Sequence, residues 1–355
     1  MSKHLFPYKW YLKDGYLNEN IDKNNYNVFG TFICGGGSTM GYKLAGFNHL
    51  GGVEIDPKIA EVYKTNHNPK HLYNLDIRDF NKLETLPKEL YNLDILDGSP
   101  PCSTFSMAGS REKAWGKEKQ FREGQAMQTL DDLVFVYCDT IIKLQPKVFI
   151  LENVKGIIQG NAKVYSKNIV AKMQKAGYEV QVFCLNAASM GVPQKRERVF
   201  FIGYRKELNF GRLGLSFNEK PILYGEFKSQ IHDKIVKSKY EIKCVNNCTK
   251  TGIPQTEKKS INNNIGAVGF GYALIDNQVP NTVTTGYVIN KNKLCYATDA
   301  ELIQIGSYPI DYDFQGIEPK YIIGMSVPPV MTAQIANQIR LQWLDKIKQH
   351  AIKSL

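Results

Sequence analysis

The stretch Val28-Phe29-Gly30-Thr31-Phe32-Ile33-Cys34-Gly35-Gly36-Gly37-Ser38 decides the fold. An apolar run, Val28–Cys34, reads as a buried strand, and three consecutive glycines then turn the chain into a helix over Thr39–Ala45. Glycines at such a turn permit φ > 0 and let backbone approach a ligand closely. A second strand, Leu50–Ile55, follows and ends in Glu54-Ile55-Asp56. An acid at the tip of the second strand is placed to bond a ribose diol, the logic of nucleotide-binding α/β units. Both NAD(P) and S-adenosylmethionine satisfy this pattern, as does a tight structural turn.

Outward from there the rhythm repeats. Pro57–Asn66 reads as helix, His71–Leu75 and Leu93–Leu96 as strands, Leu130–Lys143 as helix and Val148–Leu151 as a short buried strand. Val164–Ala176 is helical again and leads to strands Tyr178–Asn186 and Arg198–Tyr204. Strands alternating with helices predict an α/β fold with a doubly wound, mainly parallel sheet. After Tyr204 the alternation breaks. Residues 205–290, with short strand-like pieces such as Thr282–Thr285, read as a separate small domain, and Ala297–Ile305 and Val330–Trp343 look helical. The expected domains are therefore 1–204 with an N-terminal extension, 205–290, and 291–355 returning to the first.

Lys and Arg number 45 against 34 Asp and Glu, a formal net charge of +11 with a pI near 9.1. That balance points to a polyanion. From Arg205 to Thr285 twelve Lys or Arg stand against seven Asp or Glu, so the small domain carries much of the excess. Seven cysteines are scattered and odd in number, unlike a secreted disulfide framework. Cys244 and Cys248 are the only close pair, and no second pair at zinc spacing follows, so no metal is expected. No stretch approaches 18 consecutive apolar residues and the N-terminus has no apolar signal region. A soluble, cytoplasmic protein without membrane contact is expected.

Four clusters fall where strands end. In Asp97-Gly98-Ser99-Pro100-Pro101-Cys102-Ser103 the two prolines fix φ and remove donors, so Cys102 sits on a stiff loop at a strand's carboxyl end. Val148-Phe149-Ile150-Leu151-Glu152-Asn153-Val154 places a carboxylate directly after a wholly apolar run. A half-buried Glu152 should have a raised pKa and a proton available near neutral pH. Gln194-Lys195-Arg196-Glu197-Arg198 sets Arg196 and Arg198 on one side by two-residue alternation, and guanidinium forks suit a base carbonyl, phosphate or carboxylate. Gly324-Met325-Ser326-Val327-Pro328-Pro329 makes another rigid turn.

In that order behind a Gly-rich loop, the Pro-Cys loop, Glu-Asn-Val, Gln-x-Arg-x-Arg and Gly-x-Ser-Val resemble the cytosine-5 DNA methyltransferase family of bacterial or phage type. The resemblance runs from about Phe32 to Tyr204 and resumes from about Thr282 to Ile339. It implies a Rossmann-like, S-adenosylmethionine-dependent fold with a smaller target-recognition domain over 205–290. It implies Cys102 as nucleophile, Glu152 as the acid at cytosine N3, Arg198 on the base carbonyl and Arg196 supporting the pocket. S-adenosyl-L-methionine, leaving as S-adenosyl-L-homocysteine, would be lined by Phe32, Gly35, Gly37, Glu54, Ile55, Asp76, Ile77, Pro100 and Ser326. Asp76 is placed to accept from the adenine amino group, while Phe32 either stacks on adenine or fills core.

The implied partner is double-stranded DNA, methylated by a monomer with a restriction endonuclease as possible companion. One branch of the family acts on transfer RNA instead; the sizeable basic domain favours DNA. Loop Ser103–Gln128, with Arg111, Lys113, Lys117, Lys119, Arg122, Trp115 and Phe121, stands where the family has a loop that closes over flipped DNA. The chain departs from the family at Cys34 (usually Gly), Ser103 (Gln), Ala300 (Arg) and Met325 (Asn). These put the detail of cofactor contacts and affinity in doubt but not activity, since none removes a group that makes or breaks a bond.

Overall fold

In the computed structural model, which describes residues 4–17, 21–101, 132–248, 271–284 and 286–347 with the backbone of 118–119 and 128–129, the apolar runs become one sheet. Its strands are β1 (Asn27–Thr31), β2 (Asn48–Val53), β3 (His71–Tyr73), β4 (Ile95–Gly98), β5 (Val148–Val154), β6 (Tyr178–Asn186) and β7 (Glu197–Arg205). The order across it is β3-β2-β1-β4-β5-β7-β6. Pairs β3–β2, β2–β1, β1–β4 and β4–β5 are parallel, and β7 runs antiparallel to β5. This is the expected doubly wound, mainly parallel sheet. Helices α1 (Gly37–Leu44), α2 (Pro57–His67), α3 (Ile77–Lys82), α4 (Leu133–Leu144) and α5 (Lys163–Lys175) connect the strands. One continuous apolar core, including Phe29, Leu96, Tyr137, Ile141, Phe149 and Phe201, fills the space between helices and sheet.

Several strand ends differ from the sequence expectation: β2 runs Asn48–Val53 rather than Leu50–Ile55, β3 stops at Tyr73 rather than Leu75, and three further differences bear on the site. β1 stops at Thr31 rather than Cys34, because Phe32 and Cys34 take left-handed φ of 55° and 47° that a strand cannot contain. β4 continues through Asp97 and Gly98, which pair with Gly30 and Thr31 on one side and with Ile150 and Leu151 on the other. β5 runs on to Val154, since antiparallel pairing with β7 extends to Val154 opposite Arg198.

The chain packs as two units. The sheet just described belongs to Leu17–Leu185, Glu197–Ser216 and Ala333–Leu355; the other comprises Met1–Tyr16, Asn186–Arg196 and Phe217–Thr332. The second unit holds helix α6 (Lys239–Asn246) and strands β8 (Tyr272–Leu274), β9 (Val288–Asn290) and β10 (Cys295–Tyr296), in the order β8-β9-β10 around a small core of Val236, Val245, Ala273 and Ile289. Helix α7 (Asp299–Ile305) starts in a capping box between Thr298 and Glu301, and α8 (Pro319–Met325) follows. Thr282–Thr284 form no strand; Asn281 makes a single bridge to Lys195 and Thr282 Oγ1 donates to Lys195 O at 2.7 Å. The last helix, α9 (Pro329–Ile339), passes into a π turn over Arg340–Leu344 instead of continuing as one α-helix to Trp343.

Candidate active site

The Gly-rich loop after β1 is built from alternating left-handed residues, Phe32, Cys34 and Gly36, the last at φ 81°. A Cβ on Gly36 would lie 2.2 Å from His67 Nε2, so only glycine fits there. Burial and then the Lys43 charge push the His67 pKa down to about 3, leaving a neutral ring. Its Nε2 lies 3.2 Å from the Gly35 carbonyl and holds the loop from beneath when it carries the proton. Gly37 is the first residue of α1.

Glu54, at the end of β2, folds back on the same loop. Its Oε2 accepts from the Cys34 amide and its Oε1 from the Asp56 amide, both at 2.9 Å. Burial raises its pKa to about 7 against the pull of these backbone bonds. Asn74 Nδ2 donates to the carbonyls of Glu54 (2.8 Å) and Ile55 (3.2 Å), a support the sequence reading missed. Each carboxyl oxygen thus keeps lone-pair capacity while its direction is set. A fixed acceptor beside this glycine-rich turn fits the sugar of a nucleoside cofactor.

Asp76 caps α3, accepting the Arg78 amide at 2.7 Å, and its Oδ2 also takes Arg78 Nη1 at 3.1 Å. Arg78 Nη2 reaches Asp132 Oδ1 at 2.7 Å. Arg78 was absent from the sequence-derived site, although its place two residues after the capping acid is readable there. Ile77 is buried with Leu133, and Phe32 packs half-buried against that pair, so Phe32 has a core contact in addition to any ligand it meets.

At the sheet's centre, Asp97 is buried beside the Pro-Pro turn. Tyr42 OH donates to its Oδ1 at 3.0 Å and Ser38 supplies a second bond, tying β4 to helix α1. Burial raises the Asp97 pKa to about 7, those two bonds oppose it, and the Glu152 charge adds to it. Beyond Asp97 the chain reaches Pro100, whose carbonyl accepts from Asn153 Nδ2 at 3.4 Å. Cys102, Ser103 and the loop Ser103–Gln128 lie outside the described residues, except for the backbone of Glu118–Lys119, which pairs antiparallel with Gln128–Thr129.

Glu152, the neighbour of Asn153, is buried rather than half-buried. Arg198 Nε meets its Oε1 at 2.9 Å. Burial pushes the Arg198 pKa down and the Glu152 charge opposes that shift. The two side chains are diagonal neighbours, because Glu152 pairs with Phe200 and Arg198 with Val154.

Arg196 and Ser326 belong to the other unit. Arg196 precedes β7, so strand alternation does not relate it to Arg198, and its Nη2 donates to Gly324 O at 3.0 Å. Buried Gln194 donates to Ile305 O at 3.0 Å and accepts from Val283 N at 3.3 Å, so the Gln of that motif braces its own unit. Ser326 Oγ receives Tyr308 OH at 2.7 Å. Among the described residues no group of three His, Cys, Asp or Glu is placed to hold a metal ion, and no helix is long and apolar enough to cross a membrane.

The profile of the family described as C-5 cytosine-specific DNA methylase matches residues 26–341. The chain belongs to that family. Among relatives, the Type II methyltransferase M.FnuDI of Fusobacterium nucleatum is 36% identical over 182 residues, 50% of this chain and 46% of the relative. The Type II methyltransferase M.Sau96I of Staphylococcus aureus is 35% identical over 190 residues, 53% and 41% of the two chains. The chain thus spans about half the length of these two. M1.HphI of Haemophilus parahaemolyticus is 26% identical over 327 residues, 87% of this chain and 85% of that one. Among solved structures, Spodoptera frugiperda DNMT2 superposes with a TM-score of 0.62 at 16% identity, covering 88% of this chain and 99% of that chain. S. pombe Dnmt2 gives 0.57 at 14%, covering 90% and 99%. Both share the fold.

Proposed function

We propose that this protein transfers a methyl group from S-adenosylmethionine to carbon 5 of cytosine in a short motif of double-stranded DNA, through a transient bond to Cys102. The observation that carries the reading is the end of β5. There Glu152 is held by Arg198, and its neighbour Asn153 bonds Pro100, two residues before Cys102. The acid's neighbour is thereby bonded to Pro100, whose position two residues before Cys102 in sequence supports the reading.

Carbon 5 of cytosine is too weak a nucleophile to take a methyl group unaided. Attack of the Cys102 thiolate on carbon 6, with a proton delivered to N3 by Glu152, makes carbon 5 the nucleophilic end of an enamine. S-adenosylmethionine, when bound, supplies the electrophilic methyl group. Loss of the carbon 5 proton to water, with the N3 proton returning to Glu152, then expels Cys102 as thiolate and restores the aromatic ring. Cysteine suits attack and departure alike. Arg198 orients Glu152 and is the donor for the base carbonyl, with Arg196 in support. Glu54, Ile55, Asp76, Ile77, Phe32, Gly35, Gly37, Pro100 and Ser326 would hold the cofactor. A base paired within a duplex must be rotated out to reach these groups.

Residues 1–204 and 291–355 carry the chemistry in this reading, and 205–290 choose the sequence. The protein acts as a monomer on DNA in the cytoplasm. Relatives bearing Type II names support a companion restriction endonuclease, and an orphan role is the alternative.

The test is incubation of wild type and Cys102→Ser with radiolabelled S-adenosylmethionine, offering genomic DNA and total transfer RNA separately. Cys102-dependent label in DNA, mapped as 5-methylcytosine in one motif, is expected. Label confined to transfer RNA, or transfer undiminished in Cys102→Ser, overturns the reading.

A further inference from the structure

Among the described residues the most exposed large apolar side chains are Ile231, 75% exposed, and Ile235, 67% exposed. A lone exposed isoleucine is ordinary. These two, however, stand four residues apart on backbone that is tied down on both sides. The Ser229 amide donates to buried Glu301 at 2.9 Å, and Ser229 Oγ donates to Ile231 O at 2.7 Å. Lys293 Nζ holds Gln230 O at 2.8 Å. Further on, Tyr296 N donates to Lys234 O and Val236 N to Leu294 O, both at 2.9 Å, and Ile235 bridges antiparallel to Cys295. The segment therefore runs as an edge beside β10. Val236 points into the small core, so alternation sends Ile235 outward.

The surroundings are basic. Ile231–Tyr240 contain three lysines against one aspartate. Lys234, Lys237 and Lys239 are exposed, and no carboxylate pairs with them among the described residues. Lysines of this kind suit phosphates. The apolar group that duplex DNA offers at its base edges is the thymine C5-methyl in the major groove. Two exposed isoleucines, with Lys234 and Lys237 flanking the second and Lys239 beyond, match that pairing of apolar spot and anionic rail.

We propose that Ile231 and Ile235 are specificity-determining residues that contact thymine methyl groups in the recognition motif. The proposal rests on the DNA-methyltransferase reading above. It requires at least one A·T pair in the motif.

The test compares initial methylation rates on one genomic DNA amplified with dTTP or with dUTP, the latter lacking only the thymine methyl. Wild type is expected to favour thymine DNA by about fourfold for each methyl contact, the value of one buried methyl-sized group. Ile231→Ala/Ile235→Ala, melting with the wild type, is expected to methylate thymine DNA more slowly and to treat the two DNAs alike. Each single variant should keep part of the preference, so the ratio stays measurable. Equal wild-type rates on both DNAs, or an undiminished preference in the double variant, overturn the proposal. No wild-type transfer to either DNA overturns the methyltransferase reading beneath it, which separates the two failures.

Discussion

Arg198 stands diagonally across from Glu152 on antiparallel strands, with Nε 2.9 Å from Oε1. Both groups are largely removed from water, so each is the other's main compensation. Arg198→Ala strands the carboxylate and should lower stability by about 3 kcal/mol. Glu152→Gln keeps the shape and one acceptor, so its stability cost should be smaller. Its turnover should nonetheless fall by roughly 10²–10⁴, chiefly in kcat, as for loss of a proton donor. Urea unfolding and steady-state kinetics check both; a Glu152→Gln defect confined to KM would remove the acid role.

The residue types at this pair were legible in the sequence, and their contact was not. Forty-odd positions separate them, and only the register of β5 on β7 brings them together. Register depends on pairing energies across the whole sheet, which no local pattern contains. Asp97 was overlooked for a similar reason. Its meaning comes from Tyr42 and Ser38 on a helix two strands earlier in the chain. The Gly-rich loop was read correctly as a turn, but the left-handed Phe32 and Cys34 could not be foreseen, because neither residue type favours that conformation. What periodicity carries, the alternation of buried strands and helices, was readable from Val28 to Tyr204.

Those left-handed residues lead to a paired expectation. Cys34 holds φ 47°, a conformation that costs a residue bearing Cβ roughly 1–2 kcal/mol. Cys34→Gly should relieve it and, after the added freedom of the unfolded chain, stabilise by up to ~1 kcal/mol. Gly36→Ala should do the reverse, destabilising by about 2–4 kcal/mol, because strain adds to collision with the His67 ring. Chemical unfolding of both variants decides this, and a destabilised Cys34→Gly would contradict the strain.

Asp97 makes stability depend on pH in a stated direction. An unfolded aspartate ionises near pH 4, whereas burial keeps the folded group protonated until about 7. Between those values the folded state binds more protons, so this group's contribution declines as pH rises and levels off above 7. Asp97→Asn resembles the protonated acid and still accepts from Tyr42. Relative to wild type it should gain stability from pH 4 to pH 8, on the order of 4 kcal/mol. Urea midpoints across that range give the gap, and a gap that shrinks with rising pH would refute the assignment.

Glu54 should impose the opposite slope on cofactor binding. Burial holds its pKa at about 7, the Asp56 charge adds slightly, and amides of Asp56 and Cys34 offset part of it. Ribose hydroxyls donate best to an ionised carboxylate, so the binding-competent form becomes scarcer as pH falls below 7. If only that form binds, the Kd for S-adenosylhomocysteine should rise about tenfold per pH unit below 7 and flatten above it. Glu54→Gln, which accepts at one atom and cannot ionise, should bind more weakly at pH 8 and show no such slope between pH 5.5 and 8. Calorimetric titration at several pH values measures both curves and the proton released on binding. A wild-type affinity that is flat through pH 7, or a slope that survives in Glu54→Gln, would place the ribose acceptor elsewhere.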